Sequence, residues 1–283
     1  MRGLTLNALL MVVALLLTTK AYAQPVLKFD KRFVESEDKW VALRGKPGEP
    51  YSYGFVYVDS QAGFTMQAGG TFTIDAQGKY IPSPMEHNVK VRLQPSQVKV
   101  ALIPLDKLSE LKVEFVPDWL KFYKSDTTSA AHFYRWGFTY NVWDYPAGAL
   151  KFLKRAYQVD PKFNNLGTEL GYTYNAIGQY NKAIEVLLAS RSYSSDKCYA
   201  YKELSYAQMY SDQLAEAAKT ASEGIAACDN KALKAEMAYN IAYRYHLIKN
   251  QADFELWSKE TRRWAVKGDV FTVNLDKMRR NEI

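Results

Sequence analysis

The sequence predicts an α+β chain, with a small antiparallel β domain (sandwich or open barrel) followed by an α-helical solenoid of repeated hairpins. Three observations point there. Short alternating segments closed by turn residues fill the first part of the chain. From Ala130 onward, apolar residues fall at helical spacing and recur with a fixed period. Pro117, Asp118 and Trp119 stand between the two patterns and interrupt both. The predicted divisions are 1–23, 24–117, 118–266 and 267–283.

Residues 1–23 read as a secretory leader. Arg2 supplies the positive start, Leu9 to Leu17 an apolar core, and Ala21-Tyr22-Ala23 an A-x-A cleavage pattern before Gln24. The apolar core is short for a bilayer span, and Thr18, Thr19 and Lys20 follow it. The expectation is an exported chain, periplasmic or extracellular, with no transmembrane anchor after cleavage. The formal charge is +7, and loss of Arg2 and Lys20 leaves 35 basic against 30 acidic residues. Basic and acidic residues are interspersed until Arg279-Arg280, and export also argues against nucleic acid as a partner.

From Gln24 to about Val116 the candidate strands are Val26–Asp30, Trp40–Leu43 and Tyr53–Val58. Further candidates are Gly63–Gln67, Thr71–Asp75, Lys79–Ile81, Val89–Leu93, Val98–Ile103 and Leu111–Val116. Ala68-Gly69-Gly70 reads as a turn, and Asp75 to Gly78 as the tip of a hairpin. The two prolines in Ile81–Pro84 read as a break. Leu105–Glu110 reads as a short turn or helix, and Trp119 to Tyr123 as a cover over the open end of the helical array.

The helical part is built on one hairpin pattern. Phe133, Trp136, Gly137 and Tyr140 share a first helix; Ala149, Leu153 and Ala156 share a second; Asp160-Pro161 closes the unit. Leu170, Gly171 and Tyr174, then Ala183 and Leu187, repeat this about 34 residues on. A third unit spans about Cys198 to Asn230 through Tyr201, Leu204, Ser205, Ala217 and Ala221, with Gln208 where a Tyr is due. In a fourth, Ile241, Ala242 and Tyr245 come about three residues late. Phe254, Trp257, Thr261 and Trp264 mark one face of its second helix, giving about three and a half units. The tail carries Val270–Val273, which docks on the last helix or rejoins the β domain.

This spacing resembles the tetratricopeptide repeat family, whose units pair a large apolar residue, Leu-Gly and Tyr with a later Ala, bulky apolar and Ala. In that family the first helix of each unit lines a concave face that binds protein or peptide. The resemblance implies Tyr134, Phe138 and Asn141 from the first unit as lining residues. The second unit gives Thr168, Tyr172 and Asn175, and the third Tyr199, Lys202, Tyr206 and Met209. Family members that grip a C-terminal carboxylate use Lys and Asn where this chain has Tyr134 and Phe138, so the resemblance does not extend to that activity.

Catalytic motifs are missing from the sequence. His87, His132 and His246 are scattered, and no metal-ligand spacing, nucleophile elbow or phosphate loop occurs. Glu35 and Glu37 read as part of a solvated charged segment. Cys198 and Cys228 bracket the third hairpin, a disulfide candidate in an oxidising compartment. The expectation is a scaffold or adaptor, not an enzyme, with no cofactor or metal and a protein or peptide partner. Exposed aromatics and array ends also allow self-association. The alternative is an envelope or carbohydrate binder whose β domain stacks Trp40, Tyr51, Tyr53 and Tyr57 on sugar rings.

Overall fold

The computed structural model describes residues 27–124 and 126–283. The leader reading over residues 1–23 lies outside the described residues. Strands β1 (Phe29–Arg32), β2 (Lys39–Leu43), β3 (Tyr51–Asp59), β4 (Gly63–Ile74), β5 (Tyr80–Pro84), β6 (Lys90–Arg92) and β7 (Lys99–Leu102) come first. They form one antiparallel sheet in the order β1-β7-β2-β3-β4-β5, with β6 also beside β4. The strands therefore do not divide into two facing sheets.

Both faces of this sheet are buried, and the period-two alternation of strands sorts them. Tyr53, Phe55 and Tyr57 point one way with Trp40 and Ala101. Val56 and Val58 point the other way with Val41 and Val100. The aromatic face is covered by the irregular segment 103–123, which brings Leu108, Leu111 and Leu120 onto it. Trp119 meets Tyr57 edge-on at 5.0 Å and Phe55 at 5.8 Å. Two expectations are corrected here. Leu111–Val116 is not a strand: Lys112 takes a positive φ of 56°, and the Glu114 carbonyl accepts the Trp40 indole N–H at 2.8 Å. Trp119–Tyr123 covers the sheet, not a repeat.

The Ala68-Gly69-Gly70 turn is also corrected. β4 runs straight through it as a bulge: Ala68 pairs with Gly54 and Gly70 with Tyr53, leaving Gly69 extra. A side chain at Gly69 would collide with the Tyr53 ring, and Gly70 sits at φ 129°. The bulge falls where the outer partner of β4 changes, from β6 at Thr65–Gln67 to β5 at Gly70–Ile74. Pro82 and Pro84 do not break β5. They lie on a strand at the end of the sheet order, where a missing N–H is tolerated.

Nine helices follow among the described residues. They are α1 (Ala130–Val142), α2 (Pro146–Val159), α3 (Leu166–Ala176), α4 (Tyr180–Ser190), α5 (Lys197–Tyr210), α6 (Leu214–Ala227), α7 (Lys231–Leu247), α8 (Gln251–Trp264) and α9 (Val270–Arg279). Ser129 caps α1 by accepting the His132 N–H at 3.1 Å. The first eight pair as four hairpins of a tetratricopeptide-type solenoid. A Cβ at Gly137 would run into Leu153, and one at Gly171 into Leu187, so the same close approach recurs one period apart. Each hairpin turns through one left-handed residue: Asp144, Gly178, Asp212 and Lys249. The first three are a strict period apart and Lys249 comes three residues late. The delay lies inside α7, which has 17 residues where α5 has 14.

Both ends of the array are covered. At the far end, α9 buries Leu275 and Met278 in the core of α6–α8. Phe271 packs on Tyr239 at 5.0 Å. The tail thus docks as a helix on the last unit and does not rejoin the sheet. At the near end, the Val41–Val56–Val58–Val100 face of the sheet shares one core with α1–α4. Phe64 meets Tyr140 and Trp143 edge-on at 5.4 and 5.1 Å. The sheet stands where a preceding repeat would.

Candidate binding face of the helical array

One carboxylate fastens the sheet to the array. Glu37 accepts the Trp136 indole N–H at 2.7 Å, the Tyr140 hydroxyl at 2.6 Å and the Lys124 ammonium at 2.9 Å. Lys124 also reaches Asp38 at 3.1 Å. Burial pushes the Glu37 carboxyl up, but the Lys124 charge and the three hydrogen bonds together outweigh it and hold its pKa below the usual range. The expectation of a solvated face for Glu37 is therefore wrong. Its partners lie about 90 to 100 residues away, so no local pattern announces them.

The fastening sets the sheet on the end of α1 and leaves the inner helices α1, α3 and α5 to present their own face. The ten lining positions divide in two. Tyr134, Tyr172, Tyr199, Lys202 and Tyr206 are half-buried, and Phe138 is 44% exposed. Asn141, Thr168, Asn175 and Met209 are buried, which corrects their assignment as ligand contacts.

The buried asparagines tie neighbouring units together. Asn141 Nδ2 donates to Glu169 Oε2 at 3.0 Å. One period on, Asn175 Nδ2 donates to Glu203 Oε2 at 2.9 Å and to its carbonyl at 2.9 Å. A further period on, the equivalent positions are Met209 and Met237, both buried in the C-terminal core. A polar rung used twice is thus replaced on both sides at once by apolar residues, so neither partner is left unsatisfied. Thr168 is likewise engaged, its hydroxyl 3.1 Å from that of Ser194.

Glu169 is held in an unusual state. Burial pushes its carboxyl up, the Asn141 hydrogen bond opposes this, and the charges of Glu203 and Asp196 add to the rise, giving a pKa of about 7. Its folded value therefore lies above its unfolded one. The associated stability is complete below about pH 4.5 and is lost as pH rises to about 7, by about 3 kcal/mol at most. Glu169→Gln, which keeps an acceptor for Asn141, is expected to flatten the stability profile between those pH values and to exceed the native chain above pH 7. Unfolding midpoints of the two proteins that run parallel from pH 4 to 8 would refute this.

The half-exposed residues pack in small groups. Tyr134 packs on Phe163 at 5.2 Å and stacks towards Phe138 at 6.4 Å. Tyr172 and Tyr199 lie 6.2 Å apart. Lys202 sits 4.8 Å over the Tyr199 ring and bridges Glu203 and Glu236 at 3.1 and 3.3 Å. Burial, then Glu203 and Glu169, raise the Tyr199 hydroxyl well above its ordinary value; burial, then Glu169 and Asp196, do the same for Tyr134. Both remain neutral phenols that can donate a hydrogen bond. Burial lowers the Lys202 pKa, but Glu203 and Glu236 more than reverse this, so it stays cationic.

The chain shows partial structural similarity to several solved structures. MamA from strain AMB-1 is 16% identical with a TM-score of 0.41, over 48% of this chain and 78% of that one. The Pseudomonas aeruginosa protein pilF is 12% identical with a TM-score of 0.45, over 62% and 76%. A Podospora anserina putative kinesin light chain with nearly identical TPR-like repeats is 14% identical with a TM-score of 0.40, over 56% and 83%. No protein-family profile and no curated protein matches the chain. At TM-scores below 0.5, the fold assignment rests on the helix pairing described above.

Other candidate sites are placed differently from expectation. Trp40, Tyr53 and Tyr57 are core residues under segment 103–123 and cannot stack on a sugar; of that set only Tyr51 is partly exposed. Cys198 and Cys228 form a disulfide with Cα atoms 5.0 Å apart. His132 is buried against Trp136 at 3.9 Å. Among the described residues, no three His, Cys, Asp or Glu side chains stand together as metal ligands, and no helix is long and apolar enough to cross a membrane.

Proposed function

We propose that the chain is an exported, non-enzymatic interaction protein whose concave face holds an extended segment of a protein partner. The observation that carries this is the set of partly exposed rings on the inner helices: Tyr134 and Phe138 on α1, Tyr172 on α3, and Tyr199 and Tyr206 on α5. It lies along the inner helices while the sheet occupies the end of the array. Tyrosine gives large contact area at low entropic cost, and each neutral hydroxyl can answer a peptide carbonyl. Lys202 adds one fixed cation. The leader sequence supports export, and the Cys198–Cys228 disulfide suits an oxidising compartment.

The test is affinity capture with the chain from Gln24 onward as bait. Tyr172→Ala combined with Tyr199→Ala is expected to weaken partner recovery at least about tenfold, as loss of two aromatic anchors does. Far-UV circular dichroism should be unchanged, because both rings are only half-buried. Undiminished recovery by the folded double variant would refute the assignment.

A further inference from the structure

The outer side of the array carries a second groove. Between α6 and α8, beside the start of α7, lies an open space of about 1070 Å³. Its apolar floor includes Ile225, Trp257 and Leu256, the last 62% exposed. Trp264 is fixed at the edge. Its indole N–H donates to Glu260 Oε1 at 2.7 Å, and its ring centre lies 4.1 Å from Lys234 Nζ and 4.8 Å from the Arg263 guanidinium.

The charges around this floor are unbalanced. Lys234, Lys259, Arg262 and Arg263 face one lining carboxylate, Glu260. Arg262 is answered by Asp276 at 2.6 Å and Arg263 by Glu260 at 3.8 Å. Among the described residues, no carboxylate lies within salt-bridge distance of Lys234 or Lys259. A groove with an exposed Leu256, a half-exposed Trp264 ring and two ammonium groups that have no carboxylate partner is complementary to one kind of ligand. We infer that this groove holds an acidic, amphipathic segment of a partner protein. Its carboxylates meet Lys234 and Lys259, and its apolar side chains cover Leu256 and the Trp264 ring. The floor is recessed between helices, which suits a chain better than the flat face of a bilayer. The cations ring an apolar surface instead of forming the track a nucleic-acid backbone requires. This site is separate from the concave face and does not depend on it.

Fluorescence anisotropy of a short labelled peptide alternating Glu with Leu tests the inference on the purified protein. The same peptide with Lys for Glu, and phosphatidylglycerol vesicles, serve as the other arms. The acidic peptide is expected to bind. Lys234→Glu with Lys259→Glu should weaken it about tenfold, the combined effect of two exposed charge reversals. Tyr172→Ala with Tyr199→Ala should leave it unchanged, which separates this site from the concave face. Equal binding of acidic and basic peptides would overturn the inference, as would no loss on charge reversal. So would absence of binding below about 1 mM, or charge-sensitive binding of the vesicles in place of the peptide.

Discussion

Replacing Glu37 with Ala is expected to lower the free energy of unfolding by about 2–4 kcal/mol, because it strips two buried donors of their acceptor and breaks a partly buried ion pair. Three groups lose their acceptor together. The Trp136 indole and the Tyr140 hydroxyl are left as buried donors, and Lys124 keeps only Asp38. Glu37→Gln should fall between native and Ala, because the amide oxygen still accepts but the charge is gone. Glu35→Ala is the control. Glu35 lies two residues away on the same segment, contacts only Arg32 within it, and should cost under about 1 kcal/mol. The sign of the pH effect follows from the depressed pKa of Glu37. Its contribution is present above the unfolded carboxylate value of about 4.5 and is lost as pH falls through the lower folded value. Urea unfolding at pH 7 and pH 3 reads both effects. Native and Ala proteins with equal midpoints at pH 7 would show that Glu37 does not fasten the two parts.

Removing the disulfide with Cys198→Ala and Cys228→Ala is expected to cost about 3–4 kcal/mol. The bridge spans 30 residues, and the chain-entropy argument for a loop of that length gives this value. The effect is local to the third hairpin. Cys198 stands at the start of α5 and Cys228 just past α6, so without the bridge these ends are held by packing and by Arg191, which reaches Tyr201 of α5 and Glu223 of α6. Tyr199 is the neighbour of Cys198, so a loosened α5 should also weaken any partner held on the concave face. Reductant should lower the unfolding midpoint of the native chain and leave that of the double variant unmoved. An unfolding curve of the native chain that ignores reductant would contradict this.

The helical array is legible in the sequence because its determinants are local. Gly137 against Leu153 and Gly171 against Leu187 are contacts within one hairpin, so their spacing repeats with the chain. Even the three-residue delay of Ile241 is visible, as the longer α7. The sheet is legible as strands but not as connections. A Gly-Gly pair fits a turn or a bulge equally well, and only the register of β4 against β3, which leaves Gly69 extra, decides it. The proposed binding face is half legible. Carrying lining positions over by spacing picks out Tyr134, Phe138, Tyr172, Tyr199, Lys202 and Tyr206, which are at least partly exposed. It cannot separate them from Asn141 and Asn175, which sit on the same helices but turn into the seam between units. A signal did exist: Glu169 and Glu203 stand one period apart, each 28 residues after its Asn. Glu37 left no such mark, because a single acid in a charged stretch looks solvated until the fold brings Trp136 and Tyr140 to it.

If the concave face holds a partner while the sheet caps the end of the array, a reactive group on that face must meet the partner. A photocrosslinking side chain placed at Phe138 in cells of the native host, with Leu188 on the outer side of α4 as reference, tests it most directly. Covalent adducts with a second protein are expected from position 138, should disappear when Tyr172 and Tyr199 are changed to Ala, and should be absent from position 188. Crosslinks from 138 to the chain's own β domain, or the same adducts from both positions, would contradict it.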